Sequence, residues 1–116
     1  MENTQLFNYI SLLTYVRENT VLAKKIQILL LEELPKEMLE MDEAMKNQDW
    51  ETVSSVAHKI KPNIQMYSNQ FLFELVFNLE QDGKNNKHID TIPLRVEELK
   101  KYTTQLIAEI TENLAA

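Results

Sequence analysis

Gly83 is the only glycine in 116 residues, and only three prolines accompany it. A chain so poor in turn-forming residues cannot make the many reversals of a β-sandwich or barrel, so it must spend its length in a few long elements. The apolar residues identify those elements as helices, because they recur three and four positions apart, the spacing of one helix face. Leu6, Tyr9, Ile10, Leu13 and Val16 predict a short first helix ending near Arg17 to Asn19. Asn19 or Thr20 can cap a second, along which Val21, Leu22, Ile26, Leu29, Leu30, Leu34, Met38, Met41 and Met45 form the apolar series. Pro35 interrupts that series, and a proline removes one backbone donor and crowds the preceding turn, so a bend is expected between Leu31 and Pro35.

A third helix follows from about Trp50 to Tyr67, with Asp49 as its N-cap, where a carboxylate also suits the positive end of the helix dipole. Trp50, Val53, Val56, Ala57, Ile60, Ile64 and Tyr67 gather on its inner face. Asn69 or Ser68 caps a fourth helix whose inward face is Phe71, Leu72, Leu75, Val76 and Leu79, widened by Phe73 and Phe77. Gly83 is placed to end it in a left-handed cap, and Lys84 to His88 reads as a polar loop. Thr91 and Pro93 open the last helix, on which Leu99, Tyr102, Thr103, Leu106, Ile110 and Leu114 face the core. The expected architecture is all-α: an antiparallel up-down-up-down four-helix bundle with a short extra N-terminal helix, forming one domain over 1–116. No repeat, low-complexity tract or linker divides it.

Several function classes are excluded by what the chain lacks. A net charge of −6 without a basic stripe is unsuited to nucleic acid. Cysteine is absent, which removes thiol chemistry and disulfides. No apolar run reaches the length of a membrane span, and Met1-Glu2-Asn3 lacks the basic start of a signal peptide, so a cytoplasmic protein is expected. Neither His58 nor His88 follows a glutamate by three residues, as a di-metal bundle site would require, and no metal site is expected. The Met38, Met41 and Met45 series reads as adaptable core packing.

His58 lies about 150° from the middle of the inner face of its helix, and so points outward. Ser54, Ser55, Pro62 and Gln65 fall around it, Lys61 lies close to the same side, and Lys59 sits on the other flank. No carboxylate is expected beside it. Pro62 cannot donate to the carbonyl of His58, so a loosened turn is expected there. Imidazole titrates near neutrality, and its neutral ring nitrogen is a competent nucleophile toward phosphorus. A cation on the same face could stabilise the charge spread over a transferring phosphoryl group.

Ala57-His58-Lys59-Ile60-Lys61 resembles the core motif of histidine-containing phosphotransfer (HPt) domains, in which a histidine is followed by two residues, a lysine and usually a glycine, with a second glycine further on. Pro62 and Ser68 occupy the two glycine positions here. Asp49-Trp50 and Glu33-Leu34-Pro35 agree with the likeness, whose specific letters lie between Glu33 and Ser68. The resemblance implies a phosphorelay intermediate of two-component signalling. His58 would accept a phosphoryl group from a receiver-domain aspartate and pass it to another receiver. Lys61 would stabilise the phosphate, Gln65 would add a hydrogen bond, and Lys59, Ser54, Ser55 and Pro62 would face the receiver. It also implies no cofactor of its own, with Mg²⁺ supplied by the receiver, and partners among response-regulator receiver domains and a hybrid sensor kinase. No Gly-rich phosphate loop is present, which suits a relay without its own ATP site. The rival readings are an HPt-like module that binds receivers with weak or no transfer, motivated by Pro62 and Ser68, and a plain structural bundle. A stand-alone monomer is the expectation.

Overall fold

The computed structural model describes residues 5–116. Among the described residues there are five α-helices, α1 (Tyr9–Tyr15), α2 (Thr20–Lys46), α3 (Trp50–Tyr67), α4 (Gln70–Asn85) and α5 (Ile92–Ala115), with one turn of 3₁₀ helix at Ile89–Thr91. There is no strand among the described residues. The four longer helices close a ring of contacts. α2 packs on α3 and α5, α4 packs on the same two helices, and the α3–α4 contact is the most extensive. α1 lies against α3 and α2. Among the described residues no helix is long and apolar enough to cross a membrane.

The helix starts follow the expected chemistry. Asn8, Asn19, Asp49 and Asn69 each turn a side-chain oxygen onto the N–H three residues on, at Ser11, Leu22, Thr52 and Leu72. The helix ends do not. Gly83 is helical and buried inside α4, and the left-handed residue beyond that helix is Asn86, at φ 53°. Arg17, Glu18, Gln48 and His88 take up the other left-handed positions. Gly83 serves packing instead: a Cβ on it would stand 2.7 Å from the carbonyl oxygen of Trp50 and 3.2 Å from the Cβ of Ser54. The single glycine is what lets α4 press against the first turns of α3.

Two other expectations are corrected. The first half of α2 is rotated from the predicted face: Ala23, Gln27, Leu30 and Leu34 are buried, and Val21, Leu22 and Leu29 are exposed. Gln27 can face inward because its amide donates to Asn113 Oδ1 at 2.8 Å, a partner that apolar spacing does not reveal. Phe71 is exposed, its ring edge-on to Tyr102 at 5.3 Å, and the buried stripe of α4 is Leu72, Val76, Leu79, Glu80 and Gly83. α2 continues through Pro35, and α3 through Pro62.

The first helix is shorter than its apolar spacing suggests. Leu6 and Phe7 are buried in the segment leading into α1, and Glu109 Oε1 accepts from both of their N–H groups, at 2.9 and 2.7 Å. Ser68 Oγ donates to the Leu6 carbonyl at 2.6 Å. Ser68 is therefore an anchor for the start of the chain.

Candidate functional site

The inner stripe of α3 is buried, with Trp50 partly so, and His58 stands on the opposite side with 69% of its side chain exposed. The expectation of no neighbouring carboxylate holds along α3 but fails across the α3–α4 contact. Glu80 of α4 places Oε2 2.7 Å from His58 Nδ1 and Oε1 2.6 Å from Lys61 Nζ. Its side chain is only 11% exposed. Burial is the largest influence on this carboxyl and pushes its pKa up. The hydrogen bonds from Lys61 and His58, together with their charges, outweigh it and hold the group below the usual glutamate range. Lys61 is itself confined, with Nζ 5.4 Å from the centroid of Phe77.

The packing beneath explains this placement. Ser54 Oγ donates to the backbone carbonyl of Glu80 at 2.8 Å, a buried bond that fixes α4 to α3 one turn before His58. Gly83 allows the two backbones to come this close. Ser54 is accordingly buried and faces α4, which corrects its assignment to the outer surface. The hydroxyl that amphipathic spacing places outside is drawn in by a carbonyl on the neighbouring helix.

Ser55, Lys59 and Pro62 are exposed around His58. Lys59 Nζ lies 3.2 Å from Glu40 of α2. A cleft of about 620 Å³ beside the imidazole is lined by Glu40, Glu51, Ser54, Ser55, Lys59, Glu80 and Lys84 as well as His58. Gln65 is exposed and seven residues further along α3, about 10 Å at a helical rise of 1.5 Å per residue. It lines a second groove of about 610 Å³ with Pro62, Met66 and, from α1, Ile10, Ser11, Thr14 and Tyr15. Ile10 and Tyr15 are 75% and 65% exposed, so this groove is an open apolar surface one turn from the histidine. His88, in the turn before α5, has Nδ1 3.2 Å from Asp82, which also pairs with Arg95 at 2.9 Å. No group of three or more His, Cys, Asp or Glu that could hold a metal ion occurs among the described residues.

Glu80 is the residue that reading the sequence missed, and a signal for it existed. It directly follows Leu79 on the apolar stripe of α4, eight residues after Leu72. A carboxylate on a buried stripe requires a cation or donor from a facing helix. The exposed-face reading of α3 had already set aside such groups in His58 and Lys61.

No family model matches the chain, and no curated protein matches it. Among solved structures it is similar to the crystal structure of the HPT domain from an Hpt sensor hybrid histidine kinase of Shewanella. That match has a TM-score of 0.81 at 21% identity and covers 94% of this chain and 93% of the other. At this identity the likeness is one of fold.

Proposed function

We propose that the protein is a phosphorelay intermediate. His58 takes a phosphoryl group from the aspartyl phosphate of a response-regulator receiver domain and hands it to another receiver aspartate. The observation that carries this reading is the solvent-facing imidazole of His58, whose Nδ1 is occupied by Glu80 beside Lys61, on a fold similar to an HPT domain. In this reading the helices form an antiparallel up-down-up-down bundle acting as one cytoplasmic domain.

With Nδ1 directed at Glu80, Nε2 is the nitrogen left for in-line attack on phosphorus. Lys61 and Glu80 together are close to neutral, so an arriving phosphoryl group meets no net negative charge, and Lys61 offsets the charge it brings. The apolar groove between α1 and α3 seats a helix of the receiver, with Pro62 and Gln65 on its floor. Ser55 and Lys59 contact the receiver on the other side of the ring. In this reading the chain needs no nucleotide site of its own, and the Mg²⁺ needed to neutralise the aspartyl phosphate comes with the receiver.

The test is incubation with ³²P-labelled receiver domains and with a hybrid sensor kinase. Acid-labile, base-stable label on the protein, absent in His58→Gln, supports the relay. Receiver binding without label points to an interaction module, and neither label nor binding refutes both.

A further inference from the structure

The outer side of α2 carries a stripe that no other described residue covers. Val21, Lys25, Ile28, Glu32, Pro35 and Leu39 follow one another at alternating intervals of four and three residues. At about 100° per residue they lie within about 40° of one line along the helix, opposite the buried stripe of Ala23, Leu30, Leu34 and Met41. All six are exposed, Val21 by 65%, Ile28 by 46% and Leu39 by 65%. Apolar residues at four-three spacing form the seam along which one helix packs on another. α2 continues through Pro35, so the seam runs on one continuous helix. We infer that this seam joins two copies of the chain, α2 against α2, running antiparallel about a two-fold axis at the level of Leu30.

The charges select both the partner and the direction. Lys25 and Glu32 stand in the seam itself, and among the described residues neither has an ion-pair partner in its own chain. Glu40 and Asp42 of the same helix, by contrast, are paired with Lys59 and Lys100. In a parallel pair of helices each seam charge would face its own kind. In the antiparallel pair Val21 of one copy lies beside Leu39 of the other. Lys25 is then offset from Glu32 of the second copy by about 4.5 Å along the axis, at 1.5 Å per residue. The flexible four-carbon stem of lysine spans such an offset. The two-fold repeats the contact, so one self-complementary surface supplies both counter-charges. A wholly apolar partner would strand both of them.

This association leaves the histidine open. α2 and α4 each pack on α3 and α5, so α4 stands across the bundle from α2. His58 is turned toward Glu80 of α4, away from the seam. Each copy keeps its own site, and the inference does not rest on the relay reading. It goes beyond that reading by carrying two such sites in one particle.

Sedimentation velocity of the full chain at low salt tests this. One helix face is a small interface, so a rapidly exchanging dimer with a dissociation constant on the order of 10 µM is expected over a titration from about 1 to 500 µM. Lys25→Glu sets carboxylate against carboxylate at both ends of the seam, and Glu32→Lys sets ammonium against ammonium. Each change should weaken the dimer about 100-fold. An equimolar mixture of the two variants restores opposite charges at every contact, so dimers should return at the wild-type level. A wild type that stays monomeric across the titration overturns the inference. A mixture that stays monomeric while the wild type dimerises overturns the proposed pairing of α2 with α2. Charge reversals that weaken binding to receiver domains and leave self-association unchanged assign the stripe to the receiver instead, which also overturns it.

Discussion

Replacing Gly83 by alanine sets two opposing effects against each other. Inside a helix, alanine is favoured over glycine by about 1 kcal/mol, so propensity alone predicts a more stable protein. The added methyl group would stand 2.7 Å from the Trp50 carbonyl oxygen and 3.2 Å from both the backbone nitrogen and the Cβ of Ser54. Carbon–oxygen contacts settle near 3.3 Å or beyond, so α3 and α4 must separate by about 0.5 Å. The closest obstacle is backbone and cannot rotate away. Overpacking of this kind costs about 1–3 kcal/mol, and the rigidity of the obstacle places it in the upper part of that range. The net expectation is a loss of about 1–2 kcal/mol. With a urea m-value of about 1–2 kcal/mol/M for a domain of this size, the midpoint should fall by about 1 M. The same separation stretches the Ser54–Glu80 bond and draws Glu80 away from His58, so the His58 ring resonances should shift in the NMR spectrum. A variant with an unchanged or raised midpoint and an unperturbed His58 would refute the view that Gly83 sets the distance between these helices.

Gln48 is exposed at φ 56°, where a side chain costs about 1 kcal/mol; Gln48→Gly should raise the stability by up to that amount in urea titration, and a loss would refute this account of the turn. Burial raises the carboxyl pKa of Glu37 and leaves Oε1 without a hydrogen-bond partner, so its charge is penalised at neutral pH; Glu37→Gln should be more stable than the wild type at pH 7, with the gain shrinking as pH falls toward 4. Glu80 has the opposite sign. Its folded pKa lies below the ordinary 4.5, so its contribution is complete above that value and is lost as pH falls through the folded pKa. Acid unfolding curves of E80Q should therefore be flatter below pH 4.5 than those of the wild type, and superimposable curves would contradict the ion pairing described.

Helix number and type were legible because amphipathic spacing is a property of the sequence itself, and Asn19, Asp49 and Asn69 announced the starts of their helices. What failed depended on a second helix. Gly83 read as a stop because its use lies in the approach of Trp50, which nothing local records. Ser54 read as a surface residue and Gln27 had no place in the expected apolar series, because their partners, the Glu80 carbonyl and Asn113, are 26 and 86 positions away. The exposed face carrying His58 was predictable from one helix alone, whereas the carboxylate that completes its surroundings was not.

The clasp of Glu109 on the amides of Leu6 and Phe7 joins residues 103 and 102 positions apart in a protein otherwise dominated by packing between successive helices. Closing so long a loop is entropically the least favourable contact in the fold, so it should form last on refolding and open first under stress. Those two amide protons therefore serve as a natural gauge. Their hydrogen exchange, compared with that of amides in α3, measures how often the front of the chain lifts away while the helices beneath stay assembled.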